Sequence, residues 1–332
     1  MLAFAEQGGP PEIPAPLLRV PAGTEIHATL RNLCEKTTAS VYGLYARPSG
    51  ANTPLEIPAG EVREVRFKLA SPGTYYYWAT TTGRPLLRRA GVDSQLSGAL
   101  IVDPLGEAIA DRVFVIGLWF DLGVPSETSR KWQLISVING KAWPYTEKLN
   151  YKVGQLVHWR WINPTFSEHP LHMHGSYFRV DSEGDGNVDL ALSEDKRRWV
   201  VTETLPVGSA RSFTWIPERS GRWLFHCHFL AHMTSEYRYT QPDTFQPIMG
   251  MHSAGANATG MGGLVLGITV LPGSESRSPA PLTVEARKLA LLVREKPTSE
   301  GSPVADVFQL QEGFITRTGT TISNSQAGSM AR

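Results

Sequence analysis

Along the first hundred residues, apolar and polar side chains alternate in short runs. Leu18-Arg19-Val20, Glu25-Ile26-His27-Ala28-Thr29-Leu30 and Val65-Arg66-Phe67-Lys68-Leu69 largely keep a period of two, which sends successive side chains to opposite faces of an extended strand. Turn formers such as Pro72-Gly73 separate the runs. The pattern predicts a first β-sandwich over residues 1–104. A short linker at 105–112 follows. A second series of strands then opens with Val113-Phe114-Val115-Ile116-Gly117-Leu118-Trp119-Phe120 and continues through 137–141, 151–157, 158–163, 200–204 and 212–217. This series predicts a second sandwich over 105–272, in an all-β chain. Residues 273–332 contain two more strand-like runs, 288–293 and 307–310, and a polar end at 318–330. The polar end lacks the apolar residues that drive folding and is expected to be disordered.

Composition narrows the possible partners. The 332 residues are enough for two domains of ordinary size. Their 32 basic and 31 acidic residues nearly cancel, so nothing points to nucleic acid or to an anionic membrane surface. The 24 prolines and 31 glycines suit many turns between short strands. No stretch reaches the roughly 18 apolar residues of a membrane helix. The start, Met1-Leu2-Ala3-Phe4-Ala5-Glu6, has neither a basic region nor a long apolar run, so no signal peptide is read there.

The chemistry is concentrated in two places. Trp223-Leu224-Phe225-His226-Cys227-His228-Phe229-Leu230-Ala231-His232 puts a cysteine between two histidines, with a third histidine further on. In a strand, Cys227 faces one way while His226 and His228 face the other, a geometry that serves two metal sites, one on each side. Upstream, His169-Pro170-Leu171-His172-Met173-His174-Gly175 puts His172 and His174 on one face, with His169 just before them. Six of the nine histidines lie in these two stretches. Thiolate and imidazole together suit copper better than a hard cation.

The order HPxHxHG, then HCHxxxH, resembles the copper-ligand signature of the multicopper oxidases. The resemblance implies two tandem cupredoxin-like Greek-key β-sandwich domains with a C-terminal extension. It implies a type 1 copper held by His169, Cys227 and His232. It also implies a trinuclear type 2/type 3 copper cluster faced by His172, His174, His226 and His228, with Cys227, His226 and His228 as the electron relay between the centres. A small reducing substrate would give single electrons to the type 1 copper and O2 would be reduced to water. The resemblance further implies a periplasmic or secreted location. The family's axial position five residues after His232 is Tyr237 here. The Gly260-Met261-x-Gly263 run before an apolar strand resembles the axial-ligand surroundings, so Met261 is expected there, with Met233 as the rival and Met249, Met251 and His252 as weaker candidates.

The first domain departs from the family. Its two His-x-His pairs would fall near Tyr42-Gly43-Leu44-Tyr45 and at Trp78-Ala79-Thr80, and none of these is histidine. The chain thus carries four of the eight cluster histidines that the resemblance calls for. The missing half belongs to an absent third domain, for which 273–332 would be an opening, or to another chain bearing His-x-His pairs. Otherwise the cluster is gone and the protein is a type 1 copper electron carrier. An identical copy cannot supply the missing half. His27 and His158 are expected to be structural. Cys34 is expected to be free, because a bond to Cys227 would destroy the copper site. The acidic run at 181–189 is expected to be a polar hairpin loop rather than a calcium loop, since Leu192 stands where an EF-hand needs glutamate.

Overall fold

The computed structural model describes residues 2–48, 53–106, 110–121, 131–233, 238–240, 261–273, 295–297, 303–305, 308–311 and 314–317. Among them the chain is β, with only short 3-10 turns. In the first sandwich, one sheet orders the strands Ala15–Pro21, Ser97–Asp103, Gly73–Thr80, Ala39–Tyr42 and Leu55–Ile57, and Thr24–Arg31 pairs with Val62–Leu69 in the other. Thr24–Arg31 alternates strictly between half-buried and exposed positions, as a strand with one wet face must.

Gly73–Thr80 behaves differently and decides how the two halves meet. Almost every residue of it is buried. Tyr75, Tyr77 and Ala79 fill the core of the first sandwich, while Tyr76 and Trp78 pack in a separate cluster with Ile101, Val115, Ile162 and Ala210. Aromatics on both faces of one strand therefore join two cores. Polar contacts reinforce the joint. The fully buried Asp111 carboxylate is bound by Arg19 of the first sandwich at 2.7 Å and Arg160 of the second at 2.5 Å. Tyr76 OH donates to the Gly208 carbonyl at 2.8 Å, and Arg47 to that of Gly186 at 2.7 Å.

The second sandwich pairs a large sheet with a five-stranded one. The large sheet contains Phe178–Asp185, Ser209–Trp215, Val157–Ile162, Asp111–Asp121 and Lys131–Ile138 as neighbours. The five-stranded sheet runs Lys148–Lys152, Val265–Leu271, Gly221–Cys227, His169–Met173 and Thr202–Leu205. Trp159, Trp161, Trp215, Phe114, Phe178, Phe213 and Phe225 are essentially fully buried between them. Trp159 meets Phe225 edge-on at 5.0 Å and Phe114 stacks on Trp161 at 4.6 Å; such pairs add roughly 0.5–1.5 kcal/mol each beyond burial. The strand that carries Cys227 is thereby fixed against a dense aromatic core.

Beyond the second sandwich, Glu295–Pro297 pairs with Pro303–Ala305, and Phe308–Gln311 with Phe314–Arg317. The second pairing overlaps the strand expected at 307–310. The expectations for 288–293, for the polar end at 318–330, and for Tyr237, Met249, Met251 and His252 lie outside the described residues.

Candidate metal centre

Strand register builds the site. His169–Met173 lies antiparallel to Gly221–Cys227 with Leu171 opposite Cys227 and His172 opposite His226. Period-two alternation then puts His169, Leu171 and Cys227 on the core face and His172 and His226 on the other. The 3-10 turn Leu230–His232 brings the third donor back to the core side.

On the core face, Cys227 Sγ lies 3.5 Å from His232 Nδ1 and 3.8 Å from His169 Nδ1, and the two Nδ1 atoms are 3.1 Å apart. Cys227 and His169 are fully buried. Burial pulls the His232 imidazole down to about 4. The His169 imidazole falls well below its ordinary value, first through burial and then through the neighbouring His232. Burial pushes the Cys227 thiol up to about 12. At neutral pH both imidazoles are therefore neutral donors, and a bound cation would take the place of the thiol proton. One thiolate and two imidazoles converging in a dry pocket fit copper.

On the far face, His174 Nε2 lies 2.8 Å from His226 Nε2. His226 Nδ1 donates to the Cys227 carbonyl at 2.8 Å, which leaves its Nε2 lone pair for the cluster. His172 Nδ1 pairs with the Thr202 hydroxyl at 2.8 Å. One nitrogen from each of His172, His174 and His226 lies within 4.8 Å of the others. The His228 ring sits 4.9 Å from that of His172. Burial first, then the neighbouring histidines, draws His172 down to about 4; His174 and His226 are lowered as well, mainly by burial. His174 and His228 are exposed, so this group opens to one side.

The positions where the family pattern would put the first domain's histidines are committed elsewhere. Tyr42 stacks on Trp78 at 4.1 Å with the rings nearly parallel. The Thr80 hydroxyl donates to Asp93 at 2.8 Å, and Tyr45 OH to Asn187. His27 is exposed beside Glu25, and His158 pairs with Thr214 at 2.9 Å. Cys34 and Cys227 are both free thiols. In the acidic loop, Asp185 caps its own turn through Asn187 N and Val188 N. Asp189 instead reaches Thr74 N of the first sandwich at 2.7 Å. Met261 is 41% exposed, whereas Met233 packs against the core cluster that includes Cys227.

Sequence reasoning missed the residues around His169 and His232. Thr165 Oγ1 lies 3.3 Å from His169 Nε2 and Ser167 Oγ 3.4 Å from His232 Nε2. The period-two polar run Asn163-x-Thr165-x-Ser167 ahead of His169 is the signal that could have found them.

Fold and site together define an all-β, cupredoxin-like protein with two donor groups that could hold a metal ion. Residues 120–238 match the multicopper oxidase family model. Copper resistance protein A of Pseudomonas syringae pv. tomato is 34% identical over 87 residues, which are 26% of this chain and 13% of that protein. The chain thus matches only about an eighth of the length of this relative. Among solved structures, multicopper oxidase mgLAC superposes with a TM-score of 0.58 at 20% identity, covering 81% of each chain. A blue copper oxidase from Nitrosomonas europaea gives 0.57 at 18% identity, covering 78% of this chain and 77% of that one. These structures share its all-β cupredoxin-like fold. The similarity to the multicopper oxidases, a family whose metal is copper, thus covers residues 120–238 in sequence and most of the chain in fold.

Proposed function

We propose that the chain is a copper-binding oxidoreductase of the multicopper oxidase type. In this reading His169, Cys227 and His232 hold a type 1 copper, and His172, His174, His226 and His228 form half of a type 2/type 3 site. The observation that carries it is the convergence of one sulfur and two Nδ1 atoms, backed across a single strand by three imidazole nitrogens. Copper bound at Cys227 supplies one-electron redox chemistry. The protein's part is to exclude water, to hold the donors in place and to connect the two faces. His226 and His228 flank Cys227 in the chain, and His226 Nδ1–H donates to the Cys227 carbonyl at 2.8 Å. Covalent bonds and one hydrogen bond thus run from the sulfur to the far-face imidazoles, which suits these residues as the electron relay.

A small reducing substrate is assigned to the Cys227 side and O2 to the histidine side. Oxygen reduction requires a further domain or chain that supplies His-x-His donors. A type 1 copper electron carrier without oxidase activity is the second reading, favoured by the stacking of Tyr42 on Trp78 and the commitment of Thr80 to Asp93. The axial ligand is assigned to Met261, with Met233 as its competitor. The domain assignments are 1–104 for a scaffold without copper ligands, 105–272 for the copper domain and 273–332 for the start of an incomplete third domain or a disordered tail. The location assigned is periplasmic or secreted. Among the described residues no helix is long and apolar enough to cross a membrane.

Copper loading and oxygen uptake test the reading. Copper-loaded protein should be blue, and Cys227→Ser colourless with its fold retained; a colourless wild type overturns the type 1 assignment. Oxygen uptake with a phenolic donor should be absent for the chain alone and appear when a His-x-His-bearing domain is added. No uptake in either condition, with a reversible blue centre, leaves the electron carrier. Brisk uptake by the isolated chain with a full copper complement overturns the half-site assignment.

A further inference from the structure

The run Asn163-Pro164-Thr165-Phe166-Ser167-Glu168 connects the strand Val157–Ile162 to His169–Met173. Asn163 is fully buried and Thr165 is 3% exposed. The Asn163 amide NH2 faces the carbonyls of Ser167 at 2.8 Å, Leu205 at 3.1 Å and Pro206 at 2.9 Å. Carbonyls only accept, so these three contacts fix which way the amide points. Asn163 Oδ1 then accepts from Thr165 N at 3.2 Å and from Thr165 Oγ1 at 2.7 Å.

That bond sets the polarity of the next one. A threonine hydroxyl has a single proton, and here it points at Asn163 Oδ1, with the Ser167 carbonyl at 3.2 Å as the other acceptor in reach. Either way a lone pair of Thr165 Oγ1 is left for His169 Nε2, 3.3 Å away. His169 therefore carries its proton on Nε2 and presents an Nδ1 lone pair to Cys227 and His232. Two residues further, Ser167 Oγ lies 3.4 Å from His232 Nε2 and within 3.4 Å of the Glu168 carbonyl, which can take its proton.

We propose that this turn is the positioning element of the Cys227 centre: Thr165 and Ser167 accept the Nε2–H groups of His169 and His232 and so aim both Nδ1 lone pairs at the sulfur. The proposal rests on the copper reading above. Neither residue touches the metal position. An acceptor behind a ligand imidazole fixes its tautomer and ring orientation and makes it a stronger donor. A stronger donor favours oxidised over reduced copper, so removing the acceptor raises the reduction potential.

Thr165→Val keeps the branched shape and removes the acceptor, while Thr165→Ser keeps the acceptor. Three quantities are read: copper affinity by chelator competition, reduction potential, and the imidazole 15N shifts of His169 in metal-free protein, which report its tautomer. Thr165→Val should bind copper about 10- to 100-fold more weakly, show a raised potential and lose the pure Nε2–H tautomer of His169. Thr165→Ser should stay close to wild type in all three. Ser167→Ala, at a half-buried position, should shift affinity and potential in the same direction by less, and it serves as the test if Thr165→Val does not fold. Values unchanged from wild type in the folded variants, or Thr165→Ser behaving like Thr165→Val, overturn the proposal. A wild type that is not blue overturns the copper reading. An Nε2–H tautomer of metal-free His169 that depends on Thr165 would still uphold the role of the turn.

Discussion

Asp93 binds Thr80, which stands where the family pattern would put a histidine of the first sandwich, and replacing Asp93 with asparagine probes what that position is committed to instead. Its side chain is fully buried. Oδ2 accepts from Thr80 Oγ1 at 2.8 Å, Thr81 N at 3.0 Å, Thr82 N at 3.1 Å and Thr82 Oγ1 at 2.7 Å, and Oδ1 from Thr81 Oγ1 at 2.7 Å. Burial alone would push the carboxyl pKa up, but the bonds from Thr81, Thr82 and Thr80 outweigh it and hold the group below its ordinary value. A hydrogen bond to a charged group contributes about 1.5–3 kcal/mol and a neutral one about 0.5–1.5. In Asp93→Asn the amide oxygen can keep the four bonds at Oδ2 only as neutral ones, and the NH2 in place of Oδ1 cannot accept from Thr81 Oγ1; with relief from burying a charge offsetting part of this, the loss is roughly 2–4 kcal/mol. The melting temperature should drop by on the order of 10 °C.

The same substitution predicts a pH signature. A carboxyl whose folded pKa is depressed contributes stability above its unfolded value of about 3.9, and that contribution is lost as pH falls through the folded pKa. Wild type should therefore lose stability on acidification below roughly pH 4 by a component that Asp93→Asn lacks, and the two curves should converge in acid. Calorimetric melts from neutral to acidic pH read both effects. Equal midpoints at neutral pH, or parallel curves through the acid range, would refute the cage as a stabilising device.

Three further outcomes follow from the packing. Gly175 has φ +72°, and a Cβ there would lie 2.2 Å from the Trp223 ring; Gly175→Ala should cost more than about 1 kcal/mol, displace the adjacent His174 and lower metal content on the histidine face while the blue colour persists, as metal analysis and the visible spectrum will report. Asp111→Ala leaves Arg160 without its buried carboxylate partner and should cost about 3–5 kcal/mol in denaturant unfolding, so a loss within error of zero would count against the interface account. Met261→Leu should raise the reduction potential with the colour retained if Met261 is the weak axial ligand; an unchanged potential, with the shift appearing in Met233→Leu, transfers that role to Met233.

What could be read from the sequence was what depends on short range. Alternation within Gly221–Cys227 separates Cys227 from His226 and His228 before any partner strand is known, and the observed pairing of His172 with His226 follows once the two motifs lie antiparallel. The absence of histidine at Tyr42, Trp78 and Thr80 was equally plain. What replaced it was not, because the stacking of Tyr42 on Trp78 and the burial of Trp78 depend on strands far apart in the chain. The Asn163, Thr165 and Ser167 turn shows a different failure. Its period-two spacing was visible, but polar residues before a strand read as an ordinary loop until Leu205 and Pro206 supply the carbonyls that orient Asn163.

These long-range contacts give the first sandwich a role that its lack of ligands would not suggest. Arg89 is 2% exposed, and burial lowers its guanidinium pKa to about 10. Its Nη1 faces the carbonyls of Ala79 at 3.3 Å, Asp93 at 2.6 Å and Leu96 at 2.8 Å. Nη2 crosses to the second sandwich and donates to the Pro164 carbonyl at 3.2 Å. Pro164 lies between Asn163 and Thr165, inside the turn behind His169. A buried cation bound to four backbone carbonyls is costly to misplace, so the segment that carries Trp78, Thr80 and Asp93 and the turn behind the Cys227 centre hold each other in register. Among the described residues the first sandwich adds no imidazole to either donor group. Its contribution runs through Arg89 to the backbone of the turn that lies behind His169.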